Sequence, residues 1–118
     1  MSYLIWVKIA GILGVLGVGL GAFGAHALKK TLADLGSTAT WETAVLYHLI
    51  HAVALLGFAA LKLASPVTGW CWLIGILCFS GSLYVMALTG IKWLWPVTPL
   101  GGVFLLVGWL MLLFATPK

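Results

Sequence analysis

The sequence predicts an all-α integral membrane protein, a four-helix bundle with short loops. Three observations predict it. Of the 118 residues, 64% are hydrophobic and 7% are charged, whereas a soluble domain carries about 25% charged residues. So few charges cannot cover a water-facing surface, and lipid must solvate most of the chain. The apolar residues also fall into four windows, each near the roughly 20 residues that a helix needs to cross hydrocarbon. Finally, the breaks between windows collect glycine, proline, serine and lysine, the residues that end helices and start turns. Within hydrocarbon the backbone must satisfy its own hydrogen bonds, so each window is expected to be helical.

The first window covers about residues 3–28 and is interrupted by Lys8. Residues 25–27, "AHA", fit the small-residue pattern of a cleavage site. The apolar stretch ahead of them exceeds the usual signal-peptide core of about 7 to 15 residues, so this window is expected to remain as a span. "KKTLADLGSTAT" then supplies charge, Gly36 and a Ser/Thr cluster. The second window covers about 40–64, and Thr40 with Glu42 and Thr43 forms a capping-box pattern at its start. "ASPVTG", with Pro66, leads to a third window at about 69–89. "TGIKWLWPVTP" leads to a fourth at about 98–116, with Pro99 suited to a first helical turn. Together they make one four-span domain over residues 1–118.

Trp6, Trp41, Trp70, Trp72, Trp93 and Trp95 lie near the window ends and read as interfacial anchors. Four spans put Lys8, Lys62 and Lys118 on one side and Lys29, Lys30 and Lys92 on the other. The lysine bias that sets orientation is therefore tied. The net charge of +4 is spread along the chain without a basic patch. That favours anionic headgroups over nucleic acid, with Lys29 and Lys30 as headgroup candidates. Cys71 and Cys78 would stand about 10 Å apart along one helix, too far for a disulfide. They read as small apolar residues.

Glycine costs a helix about 1 kcal/mol each in water. Gly14, Gly17, Gly21 and Gly24 in the first window, and Gly101 and Gly102 in the fourth, therefore imply close helix packing. The packing is either inside the bundle or between copies of the chain. A phosphate-binding loop is excluded because no strand precedes these glycines.

The apolar run "AVLYHLIHAV" carries Tyr47, His48 and His51. Counted from Thr40, His48 lies about 12 Å and His51 about 16 Å into the span. Ionisable groups at that depth normally face protein or water. Helical spacing puts the three on one stripe, with Glu42 more than about 100° away. His26, Ser80, Ser82, Tyr84, Thr89 and Thr98 fall in the same half of the bilayer. The reading is a polar nest or cavity towards the loops between spans 1 and 2 and between spans 3 and 4, where His26, His51 and Tyr84 converge. Three uses are open: a hydrogen-bond network that sets helix register, a pocket for a lipid, small molecule or proton, or a metal or haem site on His26, His48 and His51. No carboxylate supports the last, HExxH, GxSxG and CxxCH are absent from the sequence, and the glycine string GLGAFG at residues 19–24 has no preceding strand to make it a dinucleotide fingerprint.

"GAFGAHALKK", "WETAVLYHLIH", "FSGSLY" and "TPLGG" with a later "GW" occur in that order. On these motifs, from about Gly14 to Leu113, the chain resembles domain-of-unknown-function family 423, small membrane proteins similar to eukaryotic transmembrane protein 256. The family pattern falls on Gly21, Gly24, His26, Tyr47, His51, Ser80, Gly81, Ser82, Tyr84, Thr98, Pro99 and Gly101. His48 lies outside it. The resemblance implies a small multi-span protein, bacterial or organellar, and supplies no activity, metal or catalytic residue. The resulting expectation is a structural or accessory protein of the bacterial cytoplasmic (inner) membrane. Its partners would be lipids and either further copies of itself or a larger membrane protein; no cofactor and no catalytic residue is assigned.

Overall fold

The computed structural model describes residues 3–118. Among them are five helices and no strand: α1 Tyr3–Ala25, α2 Lys29–Asp34, α3 Thr38–Leu61, α4 Val67–Thr89 and α5 Val97–Leu112. Helices α1, α3 and α4 are each long and apolar enough to cross a membrane, with a mean hydropathy of 2.0. Helix α5 has 16 residues, about 24 Å of rise, which is short of the roughly 30 Å of hydrocarbon in a typical bilayer.

The helix ends differ from the sequence windows for identifiable reasons. The fourth window reached residue 116, but α5 stops at Leu112. Beyond it the tail returns to the α3–α4 connection, where the Ala64 N–H donates to the Thr116 carbonyl at 3.0 Å and Leu63 bridges Pro117. The tail's backbone thus pairs across space instead of extending the helix. At the other face, α1 gives way to a turn at residues 26–28 and then to α2. Helix α2 is held by Leu32, which is buried with Trp41 of α3 and Ala87 of α4.

The capping-box expectation requires correction. Helix α3 starts at Thr38, two residues early, and no side chain caps it. The nearby hydroxyl of Ser37 donates instead to the Ala87 carbonyl at 2.6 Å, joining the α2–α3 turn to α4. Helix α4 ends at Gly90, whose φ of 72° is left-handed and whose N–H donates to the Met86 carbonyl at 3.0 Å. Only glycine adopts that conformation without steric cost. Pro99 lies in the first turn of α5, where its missing N–H is harmless.

In space α1 packs on α3, α3 on α4 and α4 on α5. Among the described residues, no comparable packing joins α1 to α5. The main core contains Trp6 and Leu13 from α1, Leu55 and Phe58 from α3, Trp72 and Ile76 from α4, and Leu105 from α5. Outward-facing residues remain apolar: Val15 is 74% exposed, Val53 70% and Leu106 64%. Such a surface needs lipid as its solvent.

Three of the expected interfacial tryptophans belong to the interior. Trp6, Trp41 and Trp72 are buried, whereas Trp70, Trp93 and Trp95 are exposed. Position near a span end gives depth only. The direction of the side chain depends on which helix lies opposite.

Candidate functional site

The two histidines of α3 are both buried, and each uses both ring nitrogens. His48 reaches α1 and α4. Its Nε2 lies 2.8 Å from the Leu13 carbonyl, and its Nδ1 lies 2.8 Å from the Tyr84 hydroxyl. A carbonyl only accepts, so Nε2 carries the proton and Tyr84 donates to Nδ1. His51 turns towards α5. Its Nδ1 lies 2.8 Å from the Tyr47 carbonyl one turn back, and its Nε2 accepts from the Trp109 indole at 2.9 Å. His51 is therefore the opposite neutral tautomer, with its proton on Nδ1.

The expected single stripe is thus divided. His48 and His51 are about 60° apart on the helix, enough to face different neighbours. The Tyr47 side chain is exposed and stacks on His51, with ring centroids 6.2 Å apart. His26 lies in the turn after α1 and is exposed, so it joins neither histidine. The anticipated convergence of His26, His51 and Tyr84 is not present, because Tyr84 is partnered by His48. The metal set His26, His48 and His51 does not assemble either. Among the described residues no group of three His, Cys, Asp or Glu side chains could hold a metal ion.

The remaining candidates tie helices in pairs. The Ser80 hydroxyl donates to the Ala44 carbonyl at 2.7 Å, joining α4 to α3. The Ser82 and Thr98 hydroxyls share a hydrogen bond of 2.5 Å, joining α4 to α5. The polar groups are therefore distributed to separate helix contacts, mostly to carbonyls that already serve their own helix and have a second lone pair free.

Glycine placement explains how side chains reach those carbonyls. In a helix, the residue four positions on stands beside the carbonyl of residue i. Gly17 uncovers the Leu13 carbonyl for His48, and a Cβ there would come within 3.3 Å of the His48 ring and 2.5 Å of Leu49. Gly24 uncovers the Leu20 carbonyl, which accepts from the Trp41 indole at 2.9 Å. A Cβ on Gly24 would strike that indole nitrogen. The two contacts are seven residues apart on both helices and so set one antiparallel register. Between α4 and α5, the Trp72 indole donates to the Leu105 carbonyl at 3.2 Å. A Cβ on Gly108 would collide with this indole. Thr68 donates to the Gly108 carbonyl at 3.1 Å.

Of the other glycine candidates, Gly21 faces Val45, and Gly101 lies against the backbone of Phe79. A Cβ on Gly102 would stand 3.7 Å from the Phe79 ring, and one on Gly14 would meet nothing within 4 Å. Reasoning from the sequence missed Trp41, Trp72, Thr68 and Trp109 as hydrogen-bond donors. For the α1–α3 pair a signal existed: Trp41 and His48 repeat at seven residues, as do Gly17 and Gly24. Thr68 and Trp72 also place polar contacts in the half of the molecule opposite the expected polar nest. Among the described residues, one buried side-chain polar atom lacks a hydrogen-bond partner, the Tyr3 hydroxyl. Cys71 and Cys78 are free thiols.

Long apolar helices, an outer surface that lipid alone can solvate, and an interior whose polar groups are met by neighbouring helices define an integral membrane protein of the all-helical class. Within that class, the chain belongs to the family described as protein of unknown function (DUF423), whose model matches residues 20–102. It is 40% identical to the UPF0382 membrane protein YwdK of Bacillus subtilis (strain 168), covering 97% of each chain. It is 38% identical to the UPF0382 membrane protein SAB0533 of Staphylococcus aureus (strain bovine RF122 / ET3-1), over 97% of this chain and 96% of the relative. No solved structure matches.

Proposed function

We propose that this chain is a non-catalytic structural or accessory protein of the bacterial cytoplasmic membrane. Its three long helices cross the bilayer, α5 makes a shorter fourth crossing that the bilayer meets by local thinning, and the chain packs with further copies of itself or with a larger membrane protein. The carrying observation is that both buried imidazoles have partners on both nitrogens, drawn from four different helices of the same chain. A general base or a metal ligand needs a free nitrogen lone pair. Here each lone pair already accepts from Tyr84 or Trp109. The side chains that looked chemical in the sequence act as register pins between helices, a use in which a polar group inside hydrocarbon is met by protein.

Replacing His51 with leucine tests this reading. The expected result is a lower unfolding midpoint in detergent with no change in proton flux in reconstituted vesicles. A His51→Leu protein that stays fully folded yet loses a pH-dependent flux overturns the reading. It would favour the handling of an ion, lipid or small molecule. That second reading draws support from a lateral cleft of about 480 Å³, which Tyr47, His51 and Trp109 help to line.

A further inference from the structure

A groove of about 360 Å³ opens sideways between α1, α2 and α3. Gly21 and Ala25 form part of its α1 wall, and Leu46 and Ile50 part of its α3 wall. Small residues on α1 leave the space. Thr38 and Glu42 line its outer end, and Leu32 of α2 closes it. From Thr38 to Ile50 is about 18 Å of helix. The groove therefore runs from the start of α3 to near the middle of a hydrocarbon layer about 30 Å thick.

Charge at the mouth narrows the occupant. The chain has two acidic residues and six lysines. Both acids, Asp34 and Glu42, and two lysines, Lys29 and Lys30, lie at this end, and all four are exposed. Lys29 precedes Leu32 by three residues and so shares its side of α2. Glu42 thus lines the mouth of an apolar slot, and Lys29 stands one helical turn before the lining residue Leu32, just outside the lining. An aminophospholipid matches this set: an acyl chain for the slot, a phosphate for Lys29, and a primary ammonium whose N–H groups can donate to Glu42. A glycerol headgroup brings no cation to Glu42, and a quaternary choline brings no N–H donor.

We propose that the α1–α3 groove is a lipid site that takes one acyl chain of an aminophospholipid, with the phosphate at Lys29 and the ammonium at Glu42. The site stands independently of the accessory role proposed above.

Native mass spectrometry of the purified protein tests it, using dioleoyl phosphatidylethanolamine, phosphatidylglycerol and phosphatidylcholine as competing probes. The expected result is one retained phosphatidylethanolamine per chain, in preference to the other two. Glu42→Gln should lower that preference about two- to fivefold, the scale of one exposed charge pair. Ala25→Phe should fill the groove and reduce retention of all three lipids while the unfolding midpoint is kept. Leu46→Trp fills it from the opposite wall should the first variant fail to fold. Equal retention of the three lipids, an unchanged preference in Glu42→Gln, or full retention in a folded, filled variant overturns the proposal. So does efficient crosslinking of a Leu46→Cys variant into dimers in the membrane, since a second copy would then occupy the groove.

Discussion

At the α1–α3 interface the packed glycines lie on one helix only; at the α4–α5 interface they lie on both. Gly17, Gly21 and Gly24 of α1 face the side chains of Leu49, Val45 and Trp41. Across the other interface, Gly75 of α4 faces Leu105, while Gly101 and Gly108 of α5 face the Phe79 backbone and Trp72. The consequence is physical. With glycine on both sides, backbone meets backbone at Gly101, and no side chain there can rotate away. With glycine on one side, the partner helix fills the gap with long side chains, and His48 and Trp41 extend to the uncovered carbonyls. That looser arrangement also leaves the groove beside Gly21 and Ala25.

Substitutions can break or sharpen this contrast. The largest effect is expected for Gly101→Ala, whose new methyl would lie 2.8 Å from the Cys78 carbonyl carbon and the Phe79 Cα. Overpacking against an immovable neighbour costs about 1–3 kcal/mol. Equilibrium unfolding in mixed detergent should show the loss, and a stability equal to the parent's would remove the claim of backbone contact. Gly24→Ala should come next, at about 1–2 kcal/mol, because the Trp41 ring can shift but its bond to Leu20 breaks. Should Gly24→Ala cost as much as Gly101→Ala, the two interfaces do not differ as described.

A smaller loss is expected for Tyr84→Phe, which leaves His48 Nδ1 without its donor. Hydrogen bonds between membrane helices average about 0.6 kcal/mol. A double-mutant cycle of Tyr84→Phe with His48→Leu should recover a coupling of about that size, and a coupling near zero would deny the pair. At the end of the series stands Gly14→Ala, where a methyl meets nothing within 4 Å. Its stability should match or exceed the parent's by up to about 1 kcal/mol, since alanine is the better helix former. A clear loss would place an unseen neighbour against that face of α1.

Much of the architecture is legible in the chain itself, and the reasons are local. Low charge and long apolar windows require helices in lipid. Pro66, Gly90 and Pro96 mark real connections between helices. The places of His48 and His51 near the middle of α3 follow from counting residues. The candidate site is less legible. A helical wheel relates neighbours on one helix and is silent about which helix lies opposite. His26 falls at the right depth and is still outside the cluster. Trp41 and Trp72 fall at the depth of interfacial anchors and instead point inward to carbonyls. Trp109 shows no pattern linking it to His51, which is 58 positions away.

What the sequence alone determined is therefore the solvent and the secondary structure: composition compels lipid, and lipid compels helices. Tertiary structure decided the partners, the tautomer of each imidazole and the early end of α5. Those depend on which carbonyls glycine leaves bare and which helix stands within reach of them. Such distances arise only once α1, α3, α4 and α5 pack side by side.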